Sequence, residues 1–458
     1  MNILLIQPPL NKNLIGAGLV YLSEPLALEY VSSCVLDYNV KILDMRVEEE
    51  EWSILLRKNL ESFQPDIVGI TCLTPDVFNV YKILQEVKRY DKNILTVVGG
   101  HHVTMMPMDF DKDFVDVIVL GEGQFTFREL VETYRNGKDF SEIKGIAFRK
   151  NGIINFTPER ELINNLDDYP FPARELTAKY RNKYYRTTWR PVASLMTSRG
   201  CPFRCNFCSV WKHERGKYRL RSAENIVQEL ETIKEPYISI CDDNFLQDVN
   251  RAEKLYFLIK ERGINKTFKL IARSDVIVKH PDIIEKWREI GTKLVLIGIE
   301  SIRDEELNKF NKHNTVKNND EAINILHKNG IDVVAQFIID TEYTEKDFEE
   351  IGNYVEKMNL SHPIFSVLTP LPGTDLYFEK CNKLLTRNYE LFDFIHCVLP
   401  TKLPPEKFYK CLADLYLRAY VPKEKTDKIS KILTDNTIEK LYLSICNAYK
   451  SIEYPSLS

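Results

Sequence analysis

The sequence predicts an α/β protein with a doubly wound, Rossmann-like N-terminal domain, then a full or partial βα barrel, and then a helical C-terminal region. Short apolar runs alternate with amphipathic segments over residues 1–140, and the alternation returns for six βα units from Val192 onward. Pro404 and Pro405 then begin a segment rich in Tyr, Leu and Lys. At ~150 residues per domain, a chain of 458 residues suits two or three domains.

The N-terminal pattern indicates a parallel sheet that is covered on both faces, because its strands are almost continuously apolar and helix-length segments separate them. An Asn-Gly pair at Asn151 and Gly152 suits a tight hairpin turn between Gly145–Arg149 and Ile153–Phe156, where we expect the first domain to end. The other expected strands are Ile3–Ile6, Val40–Leu43, Asp66–Thr71, Ile94–Val98 and Val117–Leu120, with helices that include Glu51–Ser62 and Phe78–Arg89.

The second region predicts six strands, each followed by a helix, and the chemistry of such a barrel lies at the C-terminal ends of its strands. The expected strands are Ala193–Thr197, Tyr237–Cys241, Phe268–Ala272, Leu294–Ile299, Val333–Ile339 and Ile364–Thr369, with helices near 223–234, 249–262, 282–290, 318–329 and 345–358. The expected domains are 1–145, a hairpin and linker over 146–190, a barrel core over 191–400 and a helical region over 401–458.

Composition excludes several classes of partner. Lys and Arg number 62 against 66 Asp and Glu, and the resulting net charge of −4 creates no field that would attract nucleic acid. No apolar run reaches the ~20 residues needed to span a bilayer, and the apolar N-terminal run is too short for a signal peptide. We therefore expect a cytoplasmic protein with neither a membrane span nor a nucleic-acid partner.

Three of the ten cysteines fall within eight residues, and this cluster carries the strongest chemical signal in the sequence. Cys201, Cys205 and Cys208 have C-x3-C-x2-C spacing directly after the first barrel strand. Three thiolates on one loop can hold three irons of a cubane cluster and leave the fourth iron open to a ligand. A structural zinc site with His213 as its fourth ligand is the alternative. The remaining cysteines suit ordinary core positions.

With this loop, residues 190–400 resemble the radical S-adenosylmethionine (radical SAM) superfamily. The resemblance implies a 4Fe-4S cluster on the three cysteines, with S-adenosylmethionine chelated to the open iron. From the residues alone, Asp242 and Asp243 could instead cap a helix, and Gly298 could be a packing glycine. The loop after Ile339 departs from the Gly-hydrophobic-Pro-Gly-Glu pattern of the family. The S-adenosylmethionine contacts that the resemblance implies are Phe207, Asp242, Asp243, Arg273, Gly298 and Glu300.

Three N-terminal loops follow neighbouring strands and should meet at the crevice where doubly wound domains bind ligands. They resemble the loops of the cobalamin-binding domain that precedes many radical SAM cores. No histidine occurs before His101, so a bound cobalt should have no histidine on its lower face, and His102 is expected to have a polar surface or loop role. The cobalamin contacts implied by the resemblance are Thr71, Leu73, Thr74, Gly99, Gly100, His101, Gly121, Glu122 and Gly123.

The resemblance implies a cobalamin-dependent radical SAM enzyme that methylates an unactivated carbon of a small-molecule or lipid-like substrate. A 5′-deoxyadenosyl radical would remove a hydrogen, methylcobalamin would supply the methyl group, and a flavodoxin or ferredoxin would supply electrons. The alternatives are a cyclase or rearrangement enzyme with the same cofactors, and a zinc-stabilised binding protein with a relic cobalamin fold. The C-terminal helices could either cover an apolar substrate or pack against the core.

Overall fold

The computed structural model describes residues 1–452 apart from 17, 19, 187 and 421–434. Its contacts divide the chain into two compact units, one of residues 1–14 and 22–184, the other of residues 15–21 and the residues from 185 onward. The strands up to residue 186 are β1 (Asn2–Gln7), β2 (Tyr21–Leu22), β3 (Asn39–Asp44), β4 (Ile67–Thr71), β5 (Leu95–Gly99), β6 (Val117–Val119), β7 (Ile146–Lys150), β8 (Ile153–Phe156) and β9 (Tyr185–Arg186). The helices of the first unit are α1 (Leu26–Ser33), α2 (Trp52–Phe63), α3 (Val77–Tyr90), α4 (His101–Met105) and α5 (Gly123–Arg135).

The first unit contains a seven-stranded sheet in the order β3-β1-β4-β5-β6-β7-β8. The five strands β3, β1, β4, β5 and β6 pair in parallel in this order, whereas β7 and β8 add an antiparallel hairpin at one edge. Leu5 of β1 packs with Phe127 of α5, and the adjacent Leu4 is equally buried on the opposite face. The doubly wound prediction is therefore confirmed. Asn151 and Gly152 have φ of 53° and 78°, which are the positive angles that a type I′ hairpin turn requires.

The second unit contains a six-stranded sheet, all parallel, in the order β10-β13-β14-β15-β16-β17. From residue 192 onward the strands of the unit, which include the separate pair β11 and β12, are β10 (Val192–Leu195), β11 (Ser198–Arg199), β12 (Arg219–Leu220), β13 (Tyr237–Ile240), β14 (Thr267–Ile271), β15 (Thr292–Glu300), β16 (Asp332–Ile339) and β17 (His362–Val367). Its helices are α6 (Val210–His213), α7 (Ala223–Thr232), α8 (Val249–Glu261), α9 (Ser274–Lys279), α10 (Pro281–Glu289), α11 (Asp304–Lys309), α12 (Val316–Lys328), α13 (Glu345–Lys357), α14 (Asp375–Lys380), α15 (Pro405–Tyr420) and α16 (Asp435–Asn447).

All the long helices of this unit cover one face of the sheet, which we call the outer face. Alternate residues of every strand, such as Phe268 and Leu270 of β14, pack there with the helices in one apolar cluster. We call the opposite side the inner face. Within the described chain β10 and β17 are the two edges of the sheet, so the arrangement is a partial βα barrel.

The C-terminal helices pack on the outer face. Phe408 and Leu412 of α15 and Ile445 of α16 belong to the outer apolar cluster. This confirms the packing alternative for these helices, and the alternative that they cover a substrate gains no support from the residues described. No helix of the described chain is long and apolar enough to cross a membrane.

The first barrel strand differs from its prediction over Ala193–Thr197. Strand β10 ends at Leu195, and Ser198–Arg199 form a separate strand that pairs antiparallel with β12. The backbone N–H of Thr197 donates to the carboxylate of Asp242 (2.6 Å) and is not available to the ladder. The buried carboxylate thus turns the chain toward the cysteine loop. The sequence also missed the short helices α6, α9, α11 and α14.

Candidate active site

The cysteine loop lies between β11 and α6 and is anchored by backbone contacts. Gly200, at φ 87°, begins the loop, and a Cβ there would stand 2.1 Å from the carbonyl oxygen of Lys217. Asn206 donates from its backbone to Phe310 O (3.2 Å) and from its amide to Lys309 O (3.0 Å). Its own carbonyl accepts from Leu376 N (3.0 Å). The loop is therefore fixed by α11, by the segment that follows α11, and by the start of α14.

The three thiols of this loop are all free. Cys205 is buried and the other two are partly buried, and burial raises the pKa of each thiol, that of Cys208 to about 12. The described residues contain no group of three His, Cys, Asp or Glu side chains that could share one metal ion. His213, the fourth ligand of the zinc alternative, directs Nδ1 to Glu214 Oε1 at 2.8 Å. A cubane does not need such convergence, because each thiolate binds a different iron.

Two adjacent carboxylates after β13 have different surroundings. Asp242 accepts hydrogen bonds from Thr197 N (2.6 Å) and Ser198 Oγ (2.6 Å), and Arg251 stands 3.8 Å away. This carboxylate thus binds the two residues that precede the cysteine loop, and its contact with S-adenosylmethionine stays a prediction. The Asp243 side chain is exposed beside the loop and accepts from the backbone of Gly200. Desolvation by the surrounding chain and the charge of Asp242 raise the pKa of the Asp243 carboxyl.

Asn244, the next residue, provides an observation that favours a ligand. It is 1% exposed, and its Oδ1 has no hydrogen-bond partner within the described chain. Its amide nitrogen donates a hydrogen bond to Gln247 Oε1 (2.9 Å). An unpaired buried carbonyl is costly unless a donor arrives. The ammonium group of S-adenosylmethionine is a donor of the required kind.

Gly298 and Glu300 lie at the end of β15 and are structurally linked. Glu300 has φ 59° and forms a buried ion pair with Lys312 Nζ at 2.7 Å. A Cβ on Gly298 would stand 2.2 Å from Glu300 Oε1 and 2.7 Å from Lys312 Nζ. Gly298 is thus a glycine that leaves room for this ion pair. The charge of Lys312 also acts on Cys205, whose pKa it lowers against the effect of burial.

Arg273 and Phe207 support the loop from two directions. The guanidinium of Arg273 lies over the ring of Phe203, 3.5 Å from its centre, and donates to Lys312 O (3.1 Å) and His313 O (2.9 Å). Phe207 packs in an apolar cluster whose buried members are Phe310, Ile338, Leu368 and Leu376. Both residues lie at the cysteine loop, and their contact with S-adenosylmethionine stays a prediction.

In the first unit, two of the predicted cobalamin loops approach each other closely. Cys72 N donates to Gly99 O (2.9 Å), and His102 N donates to Cys72 O (3.2 Å). Gly100 has φ 111°, and a Cβ there would stand 2.8 Å from Cys72 N and 2.9 Å from the hydroxyl of Thr71. Only glycine fits this position without displacing the neighbouring loop.

The third loop joins the same edge. Gly121 N donates to the hydroxyl of Thr104 (2.9 Å), and Gly123 begins α5 directly behind it. Glu122 accepts from the backbone of Ile163 (3.2 Å), so this carboxylate has a structural partner. Leu73 is 55% exposed beside Thr71 and Thr74, and an exposed leucine at the crevice fits an apolar ligand surface such as a corrin.

The expectation for His102 as a surface residue is wrong. His102 is 1% exposed, with Nδ1 3.1 Å from Thr74 Oγ1 and Nε2 3.1 Å from Asp109 Oδ2. From inside the core, His102 therefore orients the hydroxyl of Thr74, which is one of the predicted cobalamin contacts. His101 starts α4 and is partly buried.

Family profiles match both regions of the chain. The profile of the radical SAM superfamily matches residues 195–355, and that of the B12 binding domain matches residues 13–131. The hopanoid C-3 methylase of Methylococcus capsulatus is 32% identical over 393 residues, 84% of this chain and 74% of that protein. An uncharacterised methyltransferase of Pyrococcus horikoshii is 31% identical over 435 residues, 92% of this chain and 93% of that protein.

The chain belongs to the cobalamin-binding radical SAM enzymes. Its cofactors are those of the family, namely a 4Fe-4S cluster, S-adenosylmethionine and cobalamin. Solved structures share the fold of this radical SAM enzyme. TsrM from Kitasatospora setae has a TM-score of 0.72 at 17% identity and covers 98% of this chain and 95% of its own. OxsB has a TM-score of 0.72 at 18% identity, over 96% of this chain and 70% of its own.

Sequence reasoning about this radical SAM enzyme missed Lys312, and it did not single out Asn244 within the segment 241–245 that the resemblance places near the amino group of S-adenosylmethionine. Lys312 lies in a short segment where Asn311 and His313 both have positive φ, and nothing in its local sequence marks a buried lysine. Asn244 follows the two aspartates directly, and its place after a barrel strand was a signal that could have found it.

Proposed function

We propose that this enzyme transfers a methyl group from S-adenosylmethionine, through cobalamin, to an unactivated carbon of a small molecule. The single observation that carries the proposal is the loop of three free thiols, held beside Asp243 and the Glu300–Lys312 pair at one edge of a partial βα barrel. The methylase and methyltransferase relatives support methyl transfer as the outcome.

Each residue of the site has a defined task in this proposal. Cys201, Cys205 and Cys208 would hold the cluster, and Lys312 would balance the negative charge of the Cys205 thiolate. Asp243 and the unpaired Oδ1 of Asn244 would accept hydrogen bonds from the ammonium group of S-adenosylmethionine. The cluster supplies the electron that generates a hydrogen-abstracting radical from S-adenosylmethionine, and cobalamin supplies the methyl group.

The chain also keeps water from one side of the cysteine loop. The apolar cluster around Phe207 covers that side with the buried side chains of Phe310, Ile338 and Leu368. Exclusion of water protects reactive species from side reactions. In the first unit, Gly100 would allow the backbone to approach the cobalamin closely, with Thr71 and Thr74 as hydrogen-bonding side chains.

A cyclisation without methyl transfer is the second candidate. The anaerobic magnesium-protoporphyrin IX monomethyl ester cyclase of Rubrivivax gelatinosus is 29% identical over 354 residues, 74% of this chain and 63% of that protein. The methylase relatives are more similar and cover more of the chain, which favours methyl transfer.

Product mass separates the two candidates. The chain is reconstituted anaerobically with iron, sulfide and cobalamin and incubated with reductant, methyl-labelled S-adenosylmethionine and a cell extract. We expect a product that carries the labelled methyl group and disappears in the Cys205→Ala variant. A product that loses hydrogen without gaining the label would establish the cyclase instead.

We further propose that a flavodoxin or ferredoxin supplies the electron, because the cluster chemistry needs a low-potential one-electron donor. We also propose a cytoplasmic location. None of the ten cysteines, all of which lie in the described part of the chain, forms a disulfide, and this is typical of a reducing compartment.

A further inference from the structure

The middle of strand β14 contains a buried lysine that the cofactor chemistry does not use. Lys269 is 3% exposed and stands between Phe268 and Leu270, which both pack in the outer apolar cluster. Successive side chains of a strand point to opposite faces, so Lys269 lies on the inner face of the sheet. Among the described residues it forms neither a hydrogen bond nor an ion pair.

The neighbours of Lys269 on the inner face are also polar. Ser239 of β13 is paired in register with Lys269, and Ser194 of β10 is paired in register with Ser239. Paired residues of parallel strands share a face, so the three side chains form a row across β10, β13 and β14. Ser239 is 2% exposed, and its hydroxyl has no hydrogen-bond partner in the described chain.

The charges near Lys269 do not compensate its ammonium group. Burial and the guanidinium of Arg186 lower its pKa to about 7, and the same guanidinium lowers the pKa of His362 beyond the effect of burial. Cys241 and Asp242 raise the pKa of Lys269 in opposition to these effects, and Thr197, Ser198 and Arg251 already bind the Asp242 carboxylate. A buried ammonium without a bound counter-charge is unfavourable compared with an apolar side chain at the same place.

The position of Lys269 suits contact with a substrate. It stands two residues before the end of β14, about 7 Å along the strand from the edge where the cofactor residues lie. The cysteine loop comes after β10 and the short strand β11, and Ser194 of β10 belongs to the same row. A molecule that reaches from the strand ends along the inner face would therefore meet Ser239 and Lys269.

We propose that the inner face binds an anionic oxygen group of the substrate, a carboxylate or a phosphate, through the ammonium of Lys269 and the hydroxyl of Ser239. The inference rests on the proposed function, because it assigns a substrate class to that site. It excludes a plain hydrocarbon lipid as the substrate. The anion would restore the charge balance of a buried cation and would accept a hydrogen bond from the hydroxyl of Ser239.

The test measures carbamylation of Lys269 by cyanate in the full chain loaded with cluster and cobalamin under anaerobic conditions. Cyanate is small and reacts with neutral amines, and mass spectrometry quantifies the labelling of each lysine. Lys293, exposed on the neighbouring strand, is the internal reference. Inorganic phosphate and acetate are the two probes, and they distinguish a phosphate from a carboxylate group.

We expect one probe to slow labelling of Lys269 about tenfold while Lys293 is unaffected. The Ser239→Ala variant should weaken this protection. The probe that protects Lys269 should also raise the thermal unfolding temperature of the parent chain and of Lys293→Met. Lys269→Met should fold with at least the thermal stability of the parent chain, but the same probe should not stabilise it.

Equal labelling of Lys269 with and without both probes would overturn the inference, and so would a complete failure of cyanate to reach Lys269. Either result in a chain that still binds cluster, cobalamin and S-adenosylmethionine leaves the proposed function intact. Loss of those cofactors in the parent chain would instead contradict the proposed function itself.

Discussion

Lys312 Nζ and Glu300 Oε1 lie 2.7 Å apart, both buried, in the space that the missing side chain of Gly298 leaves open. The backbone carbonyl of Lys312 is bound by Arg273, which also stacks on Phe203 of the cysteine loop. The end of β15 and the cysteine loop are thus connected through one ion pair and one stacked cation.

Gly298→Ala should weaken the binding of S-adenosylmethionine without removing the cluster. The added Cβ would stand 2.2 Å from Glu300 Oε1, so the ion pair must move. We expect the dissociation constant of S-adenosylmethionine to rise about tenfold in equilibrium dialysis, with unchanged iron content. Gly263→Ala is the control. Its Cβ meets no atom within 4 Å, and only its φ of 62° adds strain. Equal affinity in Gly298→Ala and the parent chain would show that the ion pair has no part in the site.

The two adjacent aspartates should respond differently to amidation. Asp242→Asn removes a buried charge that binds Thr197 and Ser198, and we expect it to lower the free energy of unfolding by about 3 kcal/mol. Asp243→Asn should leave stability close to that of the parent chain and raise the KM for S-adenosylmethionine. Denaturant titration and steady-state kinetics of both variants check this assignment, and the reverse pattern would exchange the two roles.

Two glycines of the first unit provide a matched test of the cobalamin site. Gly100→Ala forces a Cβ to 2.8 Å from Cys72 N at φ 111°, whereas the Cβ of Gly137→Ala, at φ 61°, meets no atom within 4 Å. We expect Gly100→Ala to weaken cobalamin binding about tenfold in absorbance titrations and Gly137→Ala to bind like the parent chain. Equal affinities would place the cobalamin away from this loop.

Glu29 should make the first unit less stable as pH rises. Its carboxyl lies in a buried cluster with Glu24, Arg174 and Arg181, and burial together with the charge of Glu24 raises its pKa to about 8. The folded state therefore binds more protons than the unfolded state between about pH 4.5 and 8, and this contribution to stability is lost across that window.

Glu29→Gln removes this dependence because glutamine does not titrate. Denaturation midpoints are compared near pH 5.5 and near pH 8.5. The variant should gain stability relative to the parent chain at the higher pH, whereas exposed Glu142→Gln should show no such difference. A pH-independent difference between Glu29→Gln and the parent chain would mean that Glu29 titrates normally.

The sequence identified the elements whose chemistry is local. The three cysteines stand within eight residues, and the strand pattern placed their loop after a barrel strand. The sequence alone could not distinguish the role of Asp242 from that of Asp243, because both residues follow the same strand. Only the folded loop decides which carboxylate turns toward Thr197. Local sequence indicated that Gly298 could be a packing glycine. The structure gives the reason, since a Cβ at this position would collide with the ion pair of Glu300 and Lys312.

Lys312 and Lys269 show two different limits of sequence analysis. The burial of Lys312 depends on a tertiary segment that brings it to Glu300, and no periodicity encodes this. Lys269 was visible as the one charged residue among Thr267–Ile271, but strand patterning alone does not say whether such a lysine faces solvent or the inside of a barrel.

Electron paramagnetic resonance of the reduced, cobalamin-loaded chain, recorded with and without S-adenosylmethionine, reports on the cluster itself. We expect a 4Fe-4S signal whose shape changes when S-adenosylmethionine is added, and loss of that signal in Cys205→Ala. A reduced chain that shows no cluster signal, or a signal that S-adenosylmethionine leaves unchanged, would contradict the account.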